Sequence, residues 1–318
     1  MTEFEFIYNF LAKQQDSDVL LGIGDDAAIV RPHAGYDLCF SSDMLISDRH
    51  FFADAAPADI AHKVLAVNVS DMAAMGAMPR WVLLSAAFPE LNEVWLSEFC
   101  GTLFEQLSQY GITLIGGDTT RGNLTFNITI VGEVAKGQGL RRSSARVGDD
   151  IWVSGWLGMA AAALDGFWGK AVFPENVWRS CREKLLRPVP RVALGCELLM
   201  LAHAAQDVSD GLVQDLGHIL KASKVGAELW ADCVPVLPAL RECSTVEQLR
   251  VWPLSGGDDY ELLFTAPKAA REQILAAGEA SNTPVARIGK IVEGTHLQIL
   301  DHAGNEIHLN KTGFDHFG

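Results

Sequence analysis

The chain has 318 residues, 49% hydrophobic and 20% charged. That balance excludes a disordered chain, and at roughly 150 residues per domain it predicts two domains or one large one. Lys and Arg number 25 against 40 Asp and Glu, a net charge of −15, and a field of that sign repels nucleic acid and anionic membrane. An anionic substrate then needs local positive charge, and divalent metal ions are the obvious source.

A chain this long buries about three quarters of its unfolded surface, so it needs no disulfide or structural metal to fold. Cys39, Cys100, Cys181, Cys196, Cys233 and Cys243 form no C-x-x-C pair and no zinc spacing. They read as buried, reduced thiols of a cytoplasmic protein. The start MTEFEFIYNF has no basic region, which argues against a signal peptide, and no apolar run reaches the roughly 18 residues of a membrane span.

In chain order, 3–14 reads as a short amphipathic helix. LLGIGDDAAIV and YDLCFSSDMLI read as strands. Residues 57–76 carry helix start and stop signals, Pro57 and Gly76. WVLLSAAF is a buried strand, 92–110 a helix, and ITLIGGDTT a strand running into a glycine turn. LTFNITIVGEV alternates with period 2 and predicts a half-exposed strand. The Gly/Ser-rich stretch 136–150 is the predicted boundary, giving domains over 1–137 and 149–318 with a linker at 138–148. Beyond it come strand IWVSG, a helix over 157–165 and a helical region over 175–204. A helix then opens on Ser209 or Asp210. AELWADCVPV and YELLFTAP are strands, 268–280 a helix, and ARIGKIVEG and LQILD the last strands. Strands and helices mix in both halves, so the class is α/β or α+β.

Aspartates recur beside Gly or Ser at predicted strand ends: Asp25 and Asp26 (GIGDD), Asp43 (SSDML), Asp118 (GGDTT), Asp207 and Asp210 (DVSDG), Asp258 and Asp259 (SGGDDYE). Turn and cap chemistry accounts for any one of them; the recurrence in both halves is harder to dismiss. Asp71 is the strongest clue. At about 100° per residue it falls within the stripe of Ile60, Val64, Val67 and Met75. A carboxylate facing a core is costly unless it is paired or binds a metal, and no basic residue stands three or four positions away. Mg²⁺ prefers oxygen ligands with phosphate and water completing its shell. Carboxylates spread over five or six strand ends could hold several ions, and several ions imply a polyphosphate. P-loop, dinucleotide, protein-kinase and catalytic-triad motifs are absent. His50, seven residues past Asp43, and Arg142, in the linker, are candidates for substrate and phosphate contacts. Each is equally read as an ordinary surface charge or cap.

GIGDDAAIV, SSDMLISDRHF, HKVLAVNVSDMAAMGAMPRW, LIGGDTTRG, DVSDGLVQDLGHILKAS, SGGDDYELLF and the closing GFDHF follow one another as in the thiamine-monophosphate kinase family, which the chain resembles over about residues 20–318. The resemblance implies the aminoimidazole-ribotide-synthetase-like fold. In it an N-terminal α/β domain binds ATP and Mg²⁺ and dimerises through its sheet, and a C-terminal α+β domain follows. It implies transfer of phosphate from ATP to thiamine monophosphate. It implies that Asp26, Ser41, Ser42, Asp43, Asp71, Asp118, Asp207 and Asp210 are magnesium ligands, and with it Asp26, Asp43, Asp71, Asp118 and Asp207 are expected to converge on one cluster. It further implies that Gly117, Asp118, Arg142 and Ser209 touch ATP, and that His50, Asp258 and Phe314 touch thiamine monophosphate. Asp258 stands where the family often has Glu, one methylene longer, and Phe314 where a hydroxyl-bearing or indole ring is common; Phe retains stacking but donates no hydrogen bond. Selenophosphate synthetases and the hydrogenase-maturation branch fit less well, since no cysteine has the setting either requires.

The acceptor phosphate is itself a competent nucleophile, so direct in-line transfer needs no strong general base. Asp43, Asp71 and Asp118 would hold the ions, Arg142 would meet the transferring group, and His50 would orient the acceptor. A metal-dependent phosphohydrolase is the alternative reading. A Ca²⁺-stabilised module ranks last, because the EF-hand pattern is absent.

Overall fold

The computed structural model describes residues 1–12 and 17–315. The chain divides into two compact units, one of Met1–Met72 with Ala77–Gly137, the other of Ala73–Gly76 with Gln138–Gly318. No helix among the described residues is long and apolar enough to cross a membrane.

The first unit opens with α1 (Glu3–Phe6), which passes into a π-turn over Ile7–Leu11. The predicted helix over 3–14 is thus shorter and irregular, and its last two residues, 13 and 14, lie outside the described residues. LLGIGDDAAIV is not one strand. Its ends lie in a small antiparallel hairpin, β1 (Val19–Leu21) and β2 (Ile29–Val30), with the aspartates in the loop between. Then come β3 (Tyr36–Ile46), α2 (Pro57–Ala74), β4 (Met78–Phe88), α3 (Glu93–Tyr110), β5 (Thr113–Arg121) and β6 (Thr125–Ala135).

Helix α3 starts where the Asn92 side chain accepts the Trp95 N–H at 3.0 Å and stops at left-handed Gly111. The sheet runs β3-β6-β4-β5. Only β4 and β5 are parallel, as their connection through α3 requires. On the helix-facing side Phe126 stacks on Phe99 at 4.7 Å, with Trp95 and Phe88 around it. On the other side the hairpin packs Val19, Ala28 and Val30 against Trp81, Ile115 and Val131. A polar clip pins it: Glu133 accepts the His33 backbone N–H at 2.7 Å and contacts His33 Nδ1 at 2.6 Å, while Arg80 pairs with Asp18. Burial disfavours the Glu133 anion, but the His33 hydrogen bonds and the charges of His33 and Arg80 prevail, so its carboxyl is held below the usual range.

The second unit contains a 3₁₀ turn at Arg142–Ser144, then β7 (Asp150–Ser154), α4 (Met159–Phe167), α5 (Glu175–Leu186), α6 (Val192–Leu198), β8 (Ala204–Asp207) and α7 (Leu212–Ser223). It continues with β9 (Gly226–Trp230), α8 (Pro238–Glu242), α9 (Val246–Ser255), β10 (Leu262–Ala266), α10 (Arg271–Ala280), β11 (Val285–Val292) and β12 (Leu297–Leu300). Its sheet runs β12-β9-β11-β7-β10-β8, antiparallel except for the β12–β9 pair. Leu212, Leu216, Ile219 and Leu220 of α7 join Ile151, Val153, Leu263 and Ile288 in the core.

Several expectations change here. The helical stretch 175–204 breaks into α5 and α6, and residue 204 already begins β8. α7 begins after Gly211, which makes no side-chain cap, rather than on Ser209 or Asp210. α8 and α9, absent from the sequence reading, fill 238–255; α9 starts with a Thr245/Gln248 capping box and tolerates Pro253 near its end. Cys233 and Cys243 are exposed rather than buried, because they lie in a 3₁₀ turn and at the C-cap of α8.

Candidate active site

In the first unit the pleat of the sheet distributes the predicted residues. Successive strand side chains point to opposite faces. Ser41 and Asp43 share the helix-facing side of β3, and Ser41 Oγ donates to Asp71 Oδ2 at 2.5 Å. Asn68, fully buried one turn before Asp71, accepts the Asp43 N–H at 3.0 Å and donates to the Val64 carbonyl at 3.0 Å. Asp43 lies inside β3, not at a strand end. Ser42 faces the other way, 3.1 Å from both Thr129 Oγ1 and Asn127 Nδ2.

Asp118 also lies inside a strand. β5 runs straight through Gly116 and Gly117 instead of turning there. A register shift beside β4 carries it past the glycine pair. Gly117 has φ 150°, and a Cβ there would stand 1.8 Å from the Leu84 carbonyl oxygen, so no larger residue fits. Met44, Asn127, Ser85 and Asp118 form one row across the outward face. An open cleft of about 870 Å³ on that face is lined by Asp25, Asp26, Gly117, Asp118, Ser85 and Thr129, among others. The expected single cluster is therefore divided within this unit. Ser41, Asp43 and Asp71 gather on the helix side, whereas Asp26, Gly117 and Asp118 gather in the outward cleft. β3 and β5 are the two sheet edges, three strand spacings or about 14 Å apart.

His50 follows β3 in a tight turn, and its Nδ1 accepts the Ile46 N–H at 3.0 Å. That bond leaves the ring proton on Nε2.

The second unit brings Ser209, Asp210, Asp258 and Phe314 together on three neighbouring loops. The Asp258 N–H donates to the Ser209 carbonyl at 2.8 Å, and the Phe314 N–H to the Asp210 carbonyl at 2.9 Å. Asp207 ends β8 just before them. Asp258 and Tyr260 both hold left-handed backbones, φ 66° and 48°, unusual for residues with a side chain and common at functional sites. The Tyr260 hydroxyl donates to Asp258 Oδ1 at 3.0 Å. The last two residues of the GFDHF block, 316 and 317, lie outside the described residues. Arg142 lies elsewhere in this unit. Its carbonyl accepts Ser223 Oγ at 2.8 Å at the C-terminal end of α7, the end opposite the one that Ser209 precedes, with its side chain exposed.

Sequence reasoning missed the layer beneath these loops. Asp215 is buried; its Oδ2 accepts the N–H groups of Ser209, Asp210 and Gly211 at 3.1 Å each, and its Oδ1 accepts Gln206 Nε2 at 2.7 Å. Burial and then the Asp210 charge push its carboxyl up to about 7, against those three N–H groups. Asp210, Asp215 and His218 place one ligand atom each within 4.8 Å of one another, but both oxygens of Asp215 already accept N–H groups. Asp259 is fully buried and accepts the Gly158 N–H at 2.8 Å. Burial pushes it up to about 7, with Glu261 and Asp258 adding to the shift against Lys184. The stripe argument that singles out Asp71 also finds Asp215, which falls among Leu212, Leu216 and Ile219 on α7.

The metal-ligand candidates are all carboxylate or hydroxyl oxygens, the donor set that suits Mg²⁺. The chain matches the AIR synthase related protein N-terminal domain over residues 24–134 and the corresponding C-terminal domain over 146–302. The thiamine-monophosphate kinase of Haemophilus influenzae is 40% identical over 324 residues, covering 100% of this chain and 98% of that one. The crystal structure of thiamine-monophosphate kinase from Stenotrophomonas maltophilia matches with TM-score 0.85 and 46% identity, over 92% of this chain and 93% of that one. The structure of AaThiL complexed with AMPPCP and TMP matches with TM-score 0.77 and 27% identity, over 92% of each chain. Both domain matches in order, and full-length identity at this level, place the chain in the thiamine-monophosphate kinase family of AIR synthase related proteins.

Proposed function

We propose that this chain transfers the γ-phosphoryl group of ATP to thiamine monophosphate, giving ADP and thiamine diphosphate. The observation that carries the reading is the hydrogen-bonded junction of the Ser209–Asp210, Asp258 and Phe314 loops. It sets the candidate nucleotide and metal positions directly beside the candidate acceptor positions. A phosphate oxygen of the acceptor attacks the γ-phosphorus, and the bond to the β,γ-bridging oxygen breaks, releasing ADP. The attacking oxygen is already deprotonated at neutral pH, so no general base takes part, and catalysis rests on alignment and charge neutralisation. Mg²⁺ would neutralise phosphate charge, and Asp26, Ser41, Ser42, Asp43, Asp71, Asp118, Asp207 and Asp210 would hold it. Gly117 and Ser209 bind ATP, the Arg142 guanidinium meets the transferring phosphate, and His50 presents Nε2–H to the acceptor. Asp258 and the Phe314 ring hold the thiamine end. Incubation with ATP, Mg²⁺ and thiamine monophosphate should yield ADP and thiamine diphosphate in equal amounts. Release of inorganic phosphate without acceptor would instead establish the phosphohydrolase alternative.

The working unit is a homodimer through the outward face of the first unit's sheet, where Phe40 is 67% and Met44 54% exposed. A second copy would bring β5 of one chain toward β3 of the other and so shorten the edge-to-edge part of the separation of Asp118 from Asp43. Asp43→Asn and Asp118→Asn should each be inactive alone. Unfolded and refolded together, half the dimers are mixed and each holds one intact site, so roughly a quarter of wild-type activity should return. No recovery would mean that Asp43 and Asp118 of one chain serve the same site.

A further inference from the structure

Gln214, on the first turn of α7, has no assigned role in the reading above. Its Nε2 donates to the Phe314 carbonyl at 2.9 Å and to Asp210 Oδ2 at 3.2 Å. One amide group therefore joins a candidate metal ligand to the backbone of a candidate substrate contact. The segment around Phe314 is exposed apart from Gly313. Phe314 N–H donates to the Asp210 carbonyl, and Ser255 Oγ donates to the Lys311 carbonyl at 2.7 Å. Gly313 lies flat on the same side chain: a Cβ there would stand 2.4 Å from Gln214 Oε1 and 2.8 Å from the Asp210 carbonyl oxygen.

We propose that Gln214 is a positioning residue that fixes the Phe314 ring relative to Asp210 and so couples the acceptor side of the site to its metal side. The inference rests on the proposed function for the roles of Asp210 and Phe314, while the docking of the segment rests on geometry alone. The donor is what matters. Asp210 Oδ2 and the Phe314 carbonyl are both acceptors, and an amide N–H₂ satisfies the two at once. Gln214→Glu keeps the size of the side chain but puts an anion against two oxygens. Gln214→Ala removes the contact and leaves water to satisfy both acceptors.

Two measurements on the full-length protein test this. The first is hydrogen exchange of the C-terminal peptide, which needs no activity. Protection of the Phe314 amide should fall at least tenfold in Gln214→Glu, and less in Gln214→Ala, with the melting temperature of both within a few degrees of wild type. The second is steady-state kinetics. Gln214→Glu should raise the KM for thiamine monophosphate at least tenfold, and more than Gln214→Ala does. In a Phe314→Ala background the same substitution should change that KM less than twofold, because the ring it positions is gone. A purely space-filling role predicts the reverse order, with Glu silent and Ala harmful, and that order would overturn the proposal, as would unchanged exchange or additive effects on KM. If wild type forms no thiamine diphosphate, the proposed function fails. The exchange experiment still decides whether Gln214 docks the segment.

Discussion

Asp71→Asn is expected to lower kcat at saturating Mg²⁺ and ATP by at least about 100-fold, about 2.7 kcal/mol in the barrier, while melting above wild type in EDTA. The two halves of this result have one cause. Asp71 projects from α2 toward the side of β3 that carries Ser41 and Asp43, and its Oδ2 accepts the Ser41 hydroxyl at 2.5 Å. Asparagine offers an oxygen to the same hydroxyl, so local structure survives. What disappears is a negative charge on the side of the sheet that also carries Asp43. Two such charges about 6 Å apart repel by roughly 3 kcal/mol at an effective dielectric near 20, before screening. Without metal the variant escapes that repulsion; with Mg²⁺ it loses a ligand. Wild type should also gain more stability from Mg²⁺ plus a non-hydrolysable ATP analogue than the variant does, since ligands of the folded state stabilise by mass action. Paired melting curves decide the matter. Clear destabilisation of Asp71→Asn in EDTA would show that the carboxylate is a structural partner and not a metal ligand.

Glu261→Ala is expected to destabilise the second unit by about 3–5 kcal/mol, the usual cost of breaking a buried ion pair. At roughly 2–4 °C per kcal/mol for a unit of this size, the melting temperature should fall by about 10 °C. Glu261 is fully buried. It accepts Arg191 Nε and the Arg191 terminal nitrogen at 2.7 Å each, Ser154 Oγ at 2.6 Å and the Lys184 ammonium. Burial works against its charge, but Lys184 and Arg191 prevail and hold the carboxyl below its ordinary 4.5. A depressed acid stabilises the fold above its unfolded pKa and loses that contribution as pH falls through its folded one. The difference between wild type and variant should therefore be widest at neutral pH and narrow in acid below 4.5. A melting temperature within two or three degrees of wild type at neutral pH would mean that the stranded cations find water at little cost.

The sheet of the first unit makes both charge clusters possible and also explains what the sequence conceals. α2 and α3 are legible because their apolar residues recur every three or four positions and because Asn92 and Gly111 bound α3 with ordinary capping chemistry. β6 is legible from its alternation. Local pattern fails where pairing partners decide. ITLIGGDTT has every sign of ending at its glycines, yet β5 continues through them because β4 lies alongside and accommodates the extra residue. LLGIGDDAAIV has a strand's composition and folds as two short strands around an acidic loop, because Trp81, Ile115 and Val131 offer a surface for the hairpin. The polar stretch before α9, and Pro253 within it, conceal a helix that packs Trp252 and Leu254 inward.

The candidate site divides along the same line. The chain by itself determined which residue types were available and that Asp71 stood on an apolar helical stripe, because those are properties of one element and its period. It also carried the ordered motifs that mark the family. Only the tertiary structure decided that Asp43 and Asp118 lie on opposite sheet edges and opposite faces, because pleat and strand order are set by pairing across the sheet. Only it brought Gln214 to the Phe314 carbonyl, 100 positions along the chain, and Ser154 to Glu261, 107 positions apart. A sequence pattern reports how each segment divides its surface between core and water. It carries no record of which distant acceptor a buried or half-buried donor will meet, since that follows from how the packed elements close the chain on itself.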